Sequence, residues 1–366
     1  MTNVALPTRN GVARFAELDI ARSIALFGII VLNYHGYLNG ANATGSVQTT
    51  WFARLMDPWN GLLVPSPVIF VVVAGIACGL LTATSQQLST MELRWLLIRR
   101  GTFLFTIGTM FEWVWNGTIL PYYGIYFVLA SAVFHLKTKH IASLAMCITF
   151  FAALLSFWRY RQELQGHSTS WLQPFEPNTP RNLIFRYFID YTHPVLPWFA
   201  FFCVGLIIGK SYATFRLNRK KILFACIPAL FCTYLVSGLA LHHTDGSWQR
   251  VLSTDPFQRG ILATVGACTS AVVVVILISF AADAYATAPL MQVLQRSGQV
   301  TLTLYLCHGF IFNVVVHWWD WIQPGGFTTV FIFSCVVTTL LIAIGAWWQR
   351  SVGKGPVEVV YRKFGN

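Results

Sequence analysis

The sequence predicts an all-α protein that crosses a membrane about ten times, with both termini in the cytoplasm. Three observations carry this. Of 366 residues, 55% are hydrophobic and only 10% are charged, against about a quarter charged in a soluble globular domain. The apolar residues form long continuous runs rather than alternating, which favours spanning helices over a closed barrel. Many Trp and Tyr fall at the run ends, where an aromatic belt meets the headgroups.

Ten stretches reach roughly the twenty residues a bilayer requires. The first, 20–38, opens beside Asp19 and Arg22 and closes near Asn39-Gly40. The second and third, 64–84 and 96–115, flank a loop holding Arg94. The fourth and fifth, 119–136 and 141–157, are separated by Lys137 and Lys139. The sixth, 194–208, follows the largest loop, residues 159–193, and either starts at Pro194 or begins near Phe185 and kinks at the proline. The seventh, 222–242, follows the basic stretch Arg216 to Lys221, and the eighth, 260–280, follows Arg259. The ninth and tenth are 301–317 and 327–347. Assigning alternate loops to one side places 18 of the 25 Lys and Arg with the termini and 7 opposite. The positive-inside rule then puts the termini in the cytoplasm, and an odd number of spans would scramble the asymmetry.

The net charge of +12 is thus a topology signal first and an affinity for anionic lipid second; no nucleic-acid partner is expected. All eight cysteines lie in apolar runs, so neither disulfides nor a metal site is expected. The polar first sixteen residues do not read as a removable signal peptide. No internal repeat is visible, so a single domain over 1–366 is the default. An integral protein of a bacterial cytoplasmic membrane is the expected setting.

Titratable and amide side chains inside apolar runs are costly and mark pathways or sites. Asn33 and His35 lie near the outer end of the first run. Two residues apart on a helix, they diverge by roughly 200° and can share a neighbour only if the helix loosens, which Gly36 would permit. A neutral His there can take a proton from an attacking hydroxyl or amine, and an Asn amide can orient the acceptor or stabilise an oxyanion. A capping Asn and an interfacial His are the plainer reading. Asp19 and Arg22, spaced i,i+3, can pair. Alternatively Arg22, with Arg99 and Arg100, gathers the phosphates of a cytoplasmic donor, a task suited to the guanidinium fork. Acceptor-binding candidates are Asp57, Trp59 and Asn60, then Glu112, Trp113, Asn116 and Tyr123, then His193 and His308. Aromatic rings beside amides and carboxylates suit sugars, although they also suit an aromatic belt with helix caps.

Several segments resemble a known group. Leu18-Asp19-Ile20-Ala21-Arg22 through Leu32-Asn33 is similar to the opening helix of the YeiB-like (DUF418) membrane proteins and to the first catalytic-domain helix of heparan-alpha-glucosaminide N-acetyltransferase. Trp115-Asn116-Gly117 with Tyr123-Gly124, Pro194-Val195-Leu196-Pro197-Trp198 with Gly205 and Gly209-Lys210, and Gly355-Pro356-Val357-Glu358 with Tyr361-Arg362 follow in the same order. The resemblance implies a transmembrane acyltransferase fold that moves an acetyl group from cytoplasmic acetyl-CoA, the expected cosubstrate, to a sugar on the far side. It places Asn33 where the heparan enzyme has a functional Asn and where acyltransferase-3 proteins have the His of an Arg-x10-His motif, with Arg22 as the Arg. The sequence departs from the pattern in two places. The heparan enzyme's catalytic His before Trp-Asn-Gly is absent here, Met56 and Asp57 preceding Trp59-Asn60-Gly61. The YeiB-like acids between the third and fourth helices are replaced by Asn116 and Thr118.

The expected function is therefore acyl transfer to a hydroxyl or amine of an outer-face glycan or glycolipid. His35 is the expected base, with His308 and His193 next. A transporter or lipid flippase, or a non-catalytic membrane partner lacking the base, are the alternatives. Expected partners are membrane lipid, the acceptor and, as an option, a second copy of the chain.

Overall fold

The computed structural model describes residues 15–39, 51–56, 61–85, 87–323 and 325–365, and among these every regular element is helical. In chain order the helices are α1 (Ala16–Asn39), α2 (Trp51–Leu55), α3 (Ser66–Thr84), α4 (Thr90–Phe111), α5 (Leu120–Val133), α6 (Thr138–Leu164), α7 (Pro180–Ile184), α8 (Val195–Lys210), α9 (Tyr212–His243), α10 (Gly246–Leu252), α11 (Ile261–Ala284), α12 (Pro289–Gly298), α13 (Thr301–Phe312), α14 (Phe327–Ser351) and α15 (Pro356–Gly365). Each of the ten expected stretches falls in a helix of its own. Among the described residues α3, α6, α9, α11, α13 with the π-turn after it, and α14 are long and apolar enough to cross a bilayer, and α5 and α8 are shorter apolar helices. The chain is an all-α polytopic membrane protein.

The helices group into two compact units. One comprises Met1–Phe70, Met110–Asn116 and Val274–Asn366; the other comprises Val71–Thr109 and Gly117–Val273. In the first, α1 packs on α12, α13 and α14, and α13 packs on α14 and α15. Gly298 of α12 lies against the Asp19 carbonyl so closely that a Cβ would overlap it. Ser23 of α1 donates to the Leu294 carbonyl at 2.7 Å and meets the Ser297 hydroxyl at 2.8 Å. The start of α13 is capped from α15: Glu358 accepts from the Leu302 and Thr303 backbone N–H groups at 2.8 and 3.1 Å and from the Thr303 hydroxyl at 2.6 Å. A carboxylate there satisfies orphan donors and complements the helix dipole.

In the second unit α8 packs against α5 and α6, and it crosses α3 at backbone contact. Gly75 and Gly79 of α3 face the Phe202 and Leu206 carbonyls, while Gly205 and Gly209 of α8 face the Val72 and Ile76 carbonyls. Small residues four apart on both helices are what such an approach demands. Lys210 ends α8 and donates to the Phe134 and Leu136 carbonyls at 2.8 and 2.6 Å, closing the end of α5. Helix α6 outruns its expected boundary and absorbs Arg159 and Arg161, because nothing breaks it before Gly166. Gly166 takes φ +79°, and the His167 N–H returns to the Gln162 carbonyl at 3.0 Å, a glycine-terminated end. The sixth span starts at Val195. The upstream stretch is a separate short helix and π-turn, Phe185–Ile189, ending at Asp190.

Candidate functional site

The polar centre of the first unit forms where α1, the segment after α4 and α13 meet. Helix α1 stays regular through Asn39, so the loosening that would let Asn33 and His35 share a neighbour does not occur. The two diverge as helical geometry requires. Asn33 is half-buried and turns to α13, where its Nδ2 lies 3.2 Å from Nε2 of His308. His35 is 6% exposed and its ring meets Phe327 of α14, centroids 5.9 Å apart.

His308 is fully buried. Its Nδ1 hydrogen-bonds the Tyr305 carbonyl one turn back, and a carbonyl only accepts, so Nδ1 carries the proton. Nε2 is then the lone-pair nitrogen, and it receives the Asn33 amide N–H. The ring is walled by aromatic side chains: Tyr305 at 4.8 Å, Trp115 at 5.2 Å and Tyr34 at 6.1 Å between centroids. Tyr34 also donates its hydroxyl to the His308 carbonyl at 2.8 Å. Asn313 donates to the Val114 carbonyl at 2.7 Å and the Gly309 carbonyl at 2.9 Å, which fastens the Trp115 segment to α13. Gly309 allows it, since a Cβ there would press on Phe111 and Trp115. The Tyr37 hydroxyl donates to the Asn116 carbonyl. The arrangement is a neutral imidazole, fixed in tautomer, in an aromatic cage, with one amide at its lone pair.

The other expected residues are dispersed. Trp113 is 94% exposed and Asn116 is exposed. Glu112 is half-buried after the end of α4. Tyr123 is buried against Tyr126, ring centroids 6.0 Å apart, in the second unit. His193 is half-buried in that unit too, between Trp198 and Tyr122 at 4.5 and 5.7 Å. Arg22 pairs with Asp19 at 2.8 Å, as the i,i+3 spacing allows. Arg99 is exposed and Arg100 half-buried on α4, in the second unit. Asp57, Trp59 and Asn60 lie outside the described residues. Sequence reasoning passed over Tyr34, Tyr305 and Asn313. Of these only Asn313, an amide in an apolar run, gave a signal of the kind that picked out Asn33.

A polytopic all-α membrane protein with an amide–imidazole pair in its interior is the class these observations define. The model of the heparan-alpha-glucosaminide N-acetyltransferase catalytic domain matches residues 14–242, well over half the chain, and the chain belongs to that family. A second model, a protein of unknown function (DUF418), matches residues 210–365. No curated protein matches the chain. The chain thus carries a membrane acetyltransferase-like catalytic domain, of a family whose donor is in general acetyl-CoA.

Proposed function

We propose that the protein transfers an acetyl or short acyl group from cytoplasmic acyl-CoA to a hydroxyl or amine of a glycan or glycolipid at the outer face of a bacterial cytoplasmic membrane. The observation that carries the reading is the His308 imidazole, whose lone-pair nitrogen points at Asn33. His308 Nε2 takes the proton of the acceptor O–H or N–H as that atom attacks the thioester carbonyl. The carbonyl π electrons move onto oxygen, and the oxyanion receives a hydrogen bond from the Asn33 amide. Collapse breaks the C–S bond, and the CoA thiolate recovers the proton from His308. The imidazole ends neutral, as it began. The Tyr305 carbonyl holds the Nδ1 proton throughout, so the ring keeps one face for base chemistry. Asn33, the more exposed of the two, is where the acceptor enters. Within the first unit Arg22, through the N–H groups its Asp19 pair leaves over, is suited to a phosphate, and so, within the second unit, are Arg99 and Arg100.

This gives the base to His308 rather than His35, and the two separate experimentally. Purified protein is supplied with acetyl-CoA and candidate sugars, and free thiol is followed. His308→Gln is expected to lower turnover by about 10²–10⁴-fold, the usual worth of a general base, and His35→Gln to leave it within a few-fold. The reverse pattern overturns the assignment. Sugar movement across vesicles without thiol release overturns acyl transfer itself.

A further inference from the structure

The second unit holds a cavity and a groove that the proposed chemistry does not use. The cavity, about 370 Å³, is lined by three guanidinium groups, Arg159, Arg250 and Arg259, and three carboxyls, Glu163, Asp190 and Asp255. Asp190 takes Arg159 on one oxygen and the Arg259 Nε, at 2.9 Å, on the other. One carboxylate therefore faces two cations. Arg259 also donates to the Tyr191 carbonyl and sits at φ +54°, a left-handed conformation that a non-glycine residue adopts at a cost. Arg250 stands at the rim, 33% exposed, 3.5 Å from Glu163 and over the Tyr160 ring.

The groove, about 380 Å³, runs along the next turns of the same stretches. On α6 the cavity is lined by Ala152 and Ser156 and the groove by Ala145 and Thr149. On α8 the cavity takes Leu196 and the groove Ala200 and Val204. Past Arg259, the groove takes Ile261, Val265 and Cys268 of α11. Its lining is almost wholly apolar, and the exposed side chains of Phe150 and Val265 stand at its open side.

We propose that cavity and groove form one binding site for a zwitterionic phospholipid of the phosphatidylethanolamine type. The phosphate sits among Arg159, Arg250 and Arg259, the ammonium faces Glu163 and Asp255, and one acyl chain lies in the groove between α6, α8 and α11. Bidentate guanidinium groups suit a phosphodiester. The balance of three formal positive and three negative charges matches a headgroup that carries one of each. An anionic headgroup would bring a charge this cavity does not compensate. The site is independent of the acyl transfer proposed above.

The test is native mass spectrometry of the full-length protein, delipidated in detergent and titrated with dioleoyl phosphatidylethanolamine, dioleoyl phosphatidylglycerol or the chain-free headgroup glycerophosphoethanolamine. One phosphatidylethanolamine adduct is expected to survive delipidation and to bind at least fivefold more tightly than phosphatidylglycerol. Arg250→Gln at the rim and Val265→Trp in the groove are each expected to lower its occupancy about tenfold while the melting temperature of the lipid-free protein holds. The proposal is overturned if phosphatidylglycerol binds as well, if the chain-free headgroup binds as tightly as the lipid, or if neither variant changes occupancy.

Discussion

The most informative atom in the chain is the lone-pair nitrogen of His308, and its neighbour defines the first test. If Asn33 supplies a hydrogen bond that strengthens as the oxyanion forms, Asn33→Ala should cost about 10²–10³-fold in turnover, the range for one lost oxyanion donor. Donor binding should change little, which steady-state kinetics with acetyl-CoA would read. Asn33 was legible in the sequence because an amide in an apolar run needs a partner. That partner was not legible, since 275 residues separate it from His308. Proximity in sequence favoured His35, and the 200° turn between i and i+2 put it on another face. A second residue-scale test concerns His193. Burial, and secondarily the Arg259 charge, pushes its imidazole down to about 3, whereas the unfolded chain titrates near 6.5. The unfolded state therefore binds the proton first. His193 costs no stability above about pH 6.5, and stability is lost as pH falls from there toward about 3. Thermal melts in detergent across that window should show a shallower acid limb for His193→Gln than for wild type.

At the scale of elements, the ten hydrophobic stretches each became a helix because length and composition suffice to specify one in lipid, where every backbone group must be satisfied internally. What composition does not specify is which helices touch. The α3–α8 crossing was written in Gly75-x3-Gly79 and Gly205-x3-Gly209, two small-residue pairs four apart that become informative only once set against each other. Here the facing carbonyls leave no room for a methyl group. Gly205→Leu should therefore abolish the folded protein, read as loss of the monodisperse peak in fluorescence-detected size exclusion. Gly36→Ala, where a Cβ meets nothing within 4 Å, should leave that peak intact. The Glu358 cap belongs to the same scale. Its carboxylate serves two backbone N–H groups and a hydroxyl at the start of α13, the helix that carries His308. Glu358→Ala is expected to destabilise by about 1 kcal/mol, the low end of the cost of unpaired donors because these are half-buried, and to lower the melting temperature without touching the reacting atoms.

At the scale of the whole molecule, the reading rests on orientation, since a donor from one compartment meets an acceptor from the other only if the two loop sets face opposite sides. The 18-to-7 division of Lys and Arg is the sequence's statement of that orientation, and it assigns definite sides to definite loops. In a background with all eight cysteines replaced, a single cysteine at Lys354, between α14 and α15, should react with a membrane-impermeant maleimide only after the membrane is opened. One at Ser168, between α6 and α7, should react in intact cells. Both positions are exposed in their own units, so a failure to label cannot be blamed on burial. Labelling of both from one side would break the two-compartment scheme even if His308 proved essential. The chemistry would then have to be acyl transfer on a single face, with the basic loops serving lipid affinity rather than topology.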